Sequence, residues 1–369
     1  MVRLVSIEMV VVEMTSKKLS YQLMEGSFFL YMDIPASFDK PFKTYDEMLR
    51  ILEDRNIIIK NKDLARRALE NFSYYGLING YKDTLLQIEG SDNFLDGTTF
   101  EELYTLHIID TSLNSILLRY ILFLERALKS RISYLVSENY GVYTNWNDFS
   151  CNNEHDYLYK NNYTNSNGNR INTLKSLKEC IKDPKNNPSI IHYKTNKNHV
   201  PPWILTTNVP YGLTIQWYSI LKGTDKNTIC DSFISPGLIE SEKTKEFVKK
   251  VFALTKEYRN KIAHGNRTFS IISLPQLPKQ QLLSLTFNFI SSDEYDNKMG
   301  QDDTLAVILS LIVMLNDPYI VSNLIVELRS LLTPYIEANT KISGKRILEI
   351  FGFPIDLFDR LDTLYRQKY

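Results

Sequence analysis

A chain of 369 residues, 43% hydrophobic and 23% charged, has material for one large packed core or for two or three smaller ones. Its 43 lysines and arginines balance 43 aspartates and glutamates, which excludes a global field that draws in nucleic acid, so any such site is a local patch. Cys151, Cys180 and Cys230 are far apart and odd in number, which speaks against a disulfide framework or zinc site and for a reducing compartment.

The apolar opening MVRLVSIEMVVVEM is interrupted by Glu8 and Glu13 and is not read as a signal peptide. No run of about 18 uncharged apolar residues follows; Leu305–Leu315 is too short and leads into Asn-Asp-Pro. A cytoplasmic protein without a membrane partner is expected. The first helix starts where Thr44 and Glu47 form a capping box, and it runs to about Glu53. A second spans about Lys62 to Tyr75. Gly76 and Gly80 then bracket an aromatic turn.

Thr98 with Glu101, or Thr99 with Glu102, caps the long helix that follows. Leu103, Leu106, Ile109, Leu113, Ile116, Leu117, Tyr120, Leu124, Leu128, Ile132 and Leu135 recur at helical spacing, and Gly141 lies just past the end. From 145 to 200 the composition turns to Asn, Ser, Tyr and Lys. Eight basic residues (Lys160, Arg170, Lys175, Lys178, Lys182, Lys185, Lys194 and Lys197) face only Glu179 and Asp183 between 160 and 199. This stretch reads as an irregular, solvated basic insertion with a short helix at Ile171–Ile181, or as an arm that touches an RNA backbone. Tyrosines of the 140–163 region could then stack on bases.

Val200-Pro201-Pro202-Trp203 marks the return to the fold. A helix near Leu213–Leu221 is followed by Gly223, and a long one runs from Glu240 to His264. Short strands are expected at Ile271–Leu274 and Leu282–Phe289, then amphipathic helices at Asp302–Asn316 and Tyr319–Tyr335, and a tail helix at Leu357–Lys368. The whole is an all-α fold in three parts: an N-terminal helical region at 1–95, a helical bundle at 96–270 interrupted by the insertion at about 145–200, and a C-terminal helical extension at 271–369.

The chemistry concentrates in Glu257-Tyr258-Arg259-Asn260-Lys261-Ile262-Ala263-His264-Gly265-Asn266-Arg267. Arg clamps phosphate oxygens and His moves protons, so the pair suffices for metal-independent phosphodiester cleavage. Arg259 and His264 stand five residues apart, roughly 140° around an ideal helix, and do not share a face. Asn260 and His264, four apart, do. Either the helix unwinds at His264, with Gly265 as its C′ residue, or a second copy of the motif completes the site. A helix C-terminus favours imidazolium and raises the His264 pKa. The plainer reading makes Arg259-Asn260 a C-terminal cap and nothing more.

Other candidates carry less. His107 and Asp110 read as a polar pair on a helix surface. His155, His192 and His199 lack metal-ligand spacing. No nucleotide-binding glycine loop occurs, and no cofactor or metal is implied. Trp146, Trp203 and Trp217 read as core or interface residues.

Arg259-Asn260-Lys261-Ile262-Ala263-His264 resembles the Arg-x4-6-His signature of HEPN-domain proteins. Lys40-Pro41-Phe42-Lys43-Thr44-Tyr45-Asp46-Glu47, Tyr74-Tyr75-Gly76-Leu77-Ile78-Asn79-Gly80-Tyr81, Glu125-Arg126-Ala127-Leu128-Lys129-Ser130-Arg131, Tyr140-Gly141 and Pro201-Pro202-Trp203 resemble, in that order, the Abi-like abortive-infection family (the AbiD/AbiF-like group) of bacterial phage-defence proteins. The resemblance covers roughly residues 40–270. It implies a HEPN-like helical bundle, commonly a homodimer, acting as a metal-independent endoribonuclease toxin. Arg259, Asn260 and His264 would be catalytic. Glu125 would be the acidic residue set against the motif arginine, although Glu125 and Lys129 also fit an ordinary i,i+4 helix pair. Arg126, Lys129, Lys261 and Arg267 would bind RNA, and a small RNA or a protein antitoxin would restrain the enzyme. Two further readings stay open: a non-catalytic RNA-binding or sensing module, and a helical protein-interaction scaffold.

Overall fold

The computed structural model describes residues 20–24, 27–31, 40–81, 92–165, 168–263, 265, 267 and 274–369, the strands at 20–31 and Asn79 in backbone only. Strands β1 (Ser20–Met24) and β2 (Ser27–Tyr31) pair antiparallel, with Met24 opposite Ser27. The sequence reading did not anticipate this hairpin. Thr44 and Glu47 then close the expected capping box on α1 (Tyr45–Asp54), which buries Leu49 and Leu52. Helix α2 (Lys62–Phe72) is capped by Asn61 and buries Ala65, Ala68 and Leu69. It stops short of Tyr75 because Ser73 takes φ +59, a left-handed conformation that no helix continues through. A π-helical turn, Tyr75–Asn79, follows.

Of the two possible starts of the long helix, the chain uses Thr99. Its hydroxyl accepts from the Glu102 N–H at 3.2 Å, and the Glu102 carboxylate accepts from the Thr99 N–H at 2.8 Å. Helix α3 runs from Phe100 to Tyr140, about 60 Å at 1.5 Å per residue. Gly141 ends it at φ +80. The predicted stripe is buried along nearly its whole length. Ile58 donates to Thr98 O and accepts from the Phe100 N–H, both at 2.9 Å, which ties the N-terminal helices to the start of α3.

The stretch 145–200 is irregular at first, as expected, and much of it is exposed, but it also sends side chains into the core. It carries α4 (Arg170–Lys182) and α5 (Pro188–Asn196). Tyr157, Leu158, Tyr163, Leu174, Leu177 and Ile181 are buried. Lys178, counted above as surface charge, is fully buried: its ammonium donates to Asp156 Oδ2 at 2.7 Å, Asp148 O at 2.8 Å and Asn145 O at 2.9 Å. Tyr157 donates to Val200 O and Tyr163 to Tyr157 O. Burial holds both phenols well above their usual pKa, and neither is available to stack on a base. Tyr143 remains exposed.

Helices α6 (Pro202–Leu205), α7 (Tyr211–Ile220), α8 (Gly223–Phe233) and α9 (Ser241–Ala263) complete the packing around α3. The sequence reading passed over α8. Leu282–Phe289 is not a strand: α10 occupies Lys279–Leu285, and Phe287 and Asn288 turn at positive φ. A short apolar run fits either state by pattern, and Leu282 and Leu285, three apart, pack inward as a helix allows. The other expected strand, at 271–274, lies outside the described residues except for Leu274. Helix α11 (Ser292–Asp296) precedes α12 (Thr304–Met314). Every residue of α12 is buried, so it is a central core helix and not amphipathic.

Asp317 caps α13 (Pro318–Glu337), which lies against α3. β3 (Lys341–Ile342) and β4 (Lys345–Arg346) form a hairpin whose corner, Ser343-Gly344, has φ +48 and +82, the two left-handed positions of a tight hairpin turn. Helices α14 (Ile347–Ile350) and α15 (Leu357–Lys368) end the chain, α15 on α13. Among the described residues, buried side chains from Leu49 to Leu364 form one contiguous hydrophobic cluster.

Candidate active site

Helix α9 is built by Phe247, Val248, Val251, Phe252, Leu254, Tyr258 and Ile262, which face the core. It ends at Ala263. Gly265, at φ +79, donates to Ile262 O at 3.0 Å. His264 itself and Asn266 lie outside the described residues.

Arg259 and Asn260, on the last turns of α9, open into a cleft of about 340 Å³. Glu125 and Lys129 of α3 line the same cleft, as does Lys256, one turn before Asn260. The remaining wall is Thr207–Gly212, the loop into α7 and its first residues. Four of the predicted site residues thus converge, from helices far apart in sequence. Lys129 Nζ donates to Glu125 Oε1 at 2.7 Å, the i,i+4 pair expected on plain grounds, yet it is only partly solvated. Glu125 is 8% exposed, and its Oε2 is buried without a hydrogen-bond partner. Arg259 Nη1 reaches Asn260 Oδ1 at 3.4 Å, and Arg259 Nε is buried without a partner. Buried polar atoms are rarely left so.

The other predicted RNA contacts do not line the cleft. Arg126 is exposed on α3, and Lys261 is half-buried on α9. Arg267 turns to the N-terminal region. It donates to Gly76 O of the π-helical turn and lies 4.8 Å from the centre of the Tyr81 ring. Gly80 is required there, because a Cβ at that position falls on the Arg267 guanidinium.

Tyr81 in turn corrects the reading of His107 and Asp110. They are not a surface pair. The Tyr81 hydroxyl donates to Asp110 Oδ2 at 3.3 Å and meets His107 Nδ1 at 3.0 Å, and Asp110 is buried. Burial and the Asp110 carboxylate push the Tyr81 phenol up. Burial, then the Arg267 charge, lowers the His107 pKa. A larger cavity of about 600 Å³ lies beside α15, but its Glu294, Arg360 and Asp356 are engaged with one another.

The wall at Thr207–Gly212 was missed in the sequence. Its one signal is Pro210 immediately before a helical pattern, a helix-start residue. Asn208 Nδ2 donates to Cys180 O at 2.7 Å, so the C-terminus of α4 positions this wall.

A family model described as Abi-like protein matches residues 67–270. The chain belongs to the Abi-like protein family. The match opens within α2, later than the segment at 40–47, and it spans α3, the whole of 145–200 and the Arg259–His264 segment. Every residue named for the cleft falls inside it. The C-terminal helices fall outside, though they pack on α3. Membership of the Abi-like family suggests a role in abortive infection, the phage-defence response. No curated protein and no solved structure matches the chain. Among the described residues, no helix is long and apolar enough to cross a membrane.

Proposed function

We propose that this Abi-like protein is a HEPN-type, metal-independent endoribonuclease that acts in abortive infection. One observation carries the proposal: Arg259 and Asn260 of α9 share a cleft with Glu125 and Lys129 of α3, at the helix end that leads to His264. In the proposed reaction His264 accepts the proton of a ribose 2′-hydroxyl. The 2′-oxygen attacks phosphorus, the bond to the 5′-oxygen breaks, and that oxygen takes a proton from the imidazolium of the pair. The products are a 2′,3′-cyclic phosphate and a 5′-hydroxyl. Arg259 stabilises the charge that builds on the phosphoryl oxygens, and Asn260 orients the imidazole or the phosphate. A homodimer, in which two copies bring their Arg259–His264 segments together, completes the site. A small RNA or a protein antitoxin holds the enzyme in check.

The test is cleavage of RNA by the full chain, with products analysed for the cyclic phosphate. His264→Ala and Arg259→Ala should each lower the rate by about 10²-fold or more and abolish growth arrest, with the helical spectrum unchanged. Wild-type protein that binds RNA but yields no cyclic phosphate, with or without phage infection, would leave a binding module in place of an enzyme.

A further inference from the structure

Two features singled out in the sequence take no part in the cleft. One is Tyr74–Tyr81, the segment of the π-helical turn; the other is Arg267, three residues past His264. They meet each other. The Arg267 guanidinium donates to Gly76 O and lies over the Tyr81 ring.

The turn is shaped for that guanidinium. Ser73, at φ +59, breaks the helical path, and its hydroxyl accepts from the Gly76 N–H at 3.1 Å. In a continuing α- or π-helical turn the Gly76 carbonyl would accept from Gly80 or Tyr81. Both of those N–H groups bond Ile78 O instead, which leaves Gly76 O to Arg267. Gly80 provides the room, since a Cβ there falls on the guanidinium. Tyr81 provides an aromatic face. Its ring is fully buried, and its hydroxyl is fixed on α3 by Asp110 and His107. A spare carbonyl, a missing side chain and an aromatic face thus converge on one cation.

The junction also fixes a chain path. Helix α9 stops at Ala263, Gly265 is bonded to Ile262 O, and Arg267 is the next anchored residue. His264 directly precedes this span in the sequence. Helix α3, on which Tyr81 is seated, carries Glu125 and Lys129 of the cleft. The chain just past His264 is therefore tied to the helix that forms the wall opposite Arg259. The family match opens within α2 and closes at residue 270, so its two ends meet at this junction.

We infer that Arg267 is a positioning residue. Its grip on the Gly76–Tyr81 turn holds the end of α9 in the register that presents His264 to the cleft of Arg259 and Asn260. Arg267 itself does not line that cleft. The catalytic consequence rests on the nuclease reading, whereas the placement of His264 is separable from it. Misplacing a reacting group by about 1 Å can cost about 10²-fold in rate, so loss of this anchor should be felt in kcat rather than in KM.

The test uses the full chain, with single-stranded RNA as substrate and with ¹⁵N-labelled histidine. Arg267→Ala should lower kcat about tenfold or more and leave KM within about twofold. Gly80→Ala, which expels the guanidinium, should lose as much, and the double variant no more than either single one. Arg267→Lys keeps a donor for Gly76 O and a cation over the Tyr81 ring, and should recover part of kcat. If Arg267→Ala lowers the melting temperature but not kcat, Arg267 only fastens the N-terminal helices and the inference is overturned. The second readout needs no turnover. The His264 imidazole signal, assigned by its loss in His264→Ala, should shift in Arg267→Ala and in Gly80→Ala, while those of the exposed His155 and His192 stay in place. An unmoved His264 signal overturns the inference even if wild type cleaves RNA. A shifted signal in a protein that cleaves no RNA sustains the positioning role and removes the nuclease reading alone.

Discussion

Replacing Lys178 by Met should destabilise the protein by about 3 kcal/mol. The ammonium is fully buried and has three acceptors within 2.9 Å: the Asp156 carboxylate and the carbonyls of Asn145 and Asp148. Met has nearly the same length and fills the channel of the lysine stem, so no cavity cost is added. What remains is the loss of a buried ion pair, about 3–5 kcal/mol when one partner is removed. The lower end is expected, because Asp156 still accepts from the backbone N–H of Asn145 at 3.0 Å and of Leu158 at 2.8 Å. The measurement is urea unfolding, followed by far-ultraviolet circular dichroism and by tryptophan fluorescence. Adding Asp156→Asn to Lys178→Met should recover part of the loss, since the stranded charge is then gone. The same variant bears on function. Helix α4 carries both Lys178 and Cys180, and Cys180 O holds Asn208 in the cleft wall, so RNA affinity should fall with stability. A loss below about 1 kcal/mol, the scale of a solvated pair, would refute the view that this segment is part of the core.

Further outcomes follow from the same geometry. Arg360 grips Glu294 through two bonds, at 2.8 and 2.9 Å, and it is the main reason the Glu294 carboxyl lies at about 2, below its ordinary 4.5. A depressed carboxyl contributes stability that is present above the unfolded value and lost as pH falls through the folded one. Arg360→Ala should therefore cost about 1–2 kcal/mol at pH 7, and its melting curve should meet that of wild type near pH 2; a gap that persists there argues against the linkage. Gly80→Ala should cost about 1–3 kcal/mol by expelling the Arg267 guanidinium, and close to nothing in an Arg267→Ala background. Additive losses in that double-mutant cycle would mean that the two positions are not coupled. Chelation with EDTA should leave the RNA cleavage rate unchanged, since the proposed nucleophile is internal to the substrate; a rate that collapses and returns with a divalent ion would replace the mechanism.

Local signals were legible wherever the deciding interactions span a few residues. Thr44 with Glu47 and Thr99 with Glu102 announce their helices, because a cap is made between neighbours. The long apolar stripe of α3 was readable for the same reason, since helical period is a local property. The convergence of Arg259 and Asn260 with Glu125 and Lys129 was expected from the motif and the resemblance together. Local pattern failed where neighbours are ambiguous. Leu282–Phe289 alternates as loosely as a strand does and folds as a helix and a turn. Gly223–Phe233 has only a weak apolar face and was passed over.

The sequence by itself determined a mainly helical chain, the start of its major helices and a cluster of Arg, Asn and His. Tertiary structure decided which charges are buried. Nothing near Lys178 tells that its ammonium meets Asp156 and two carbonyls from 22 to 33 residues away, and Asp110 reads as surface until Tyr81 is laid against it. It also decided what faces Arg259. The other walls come from residues 125–129 and 207–212, brought there by packing on α3 and by one bond from Asn208 to the end of α4. Burial and cleft formation depend on which distant surfaces meet, and no local pattern encodes that. Hence a motif could be named from the chain, while the cleft beside it had to be seen folded.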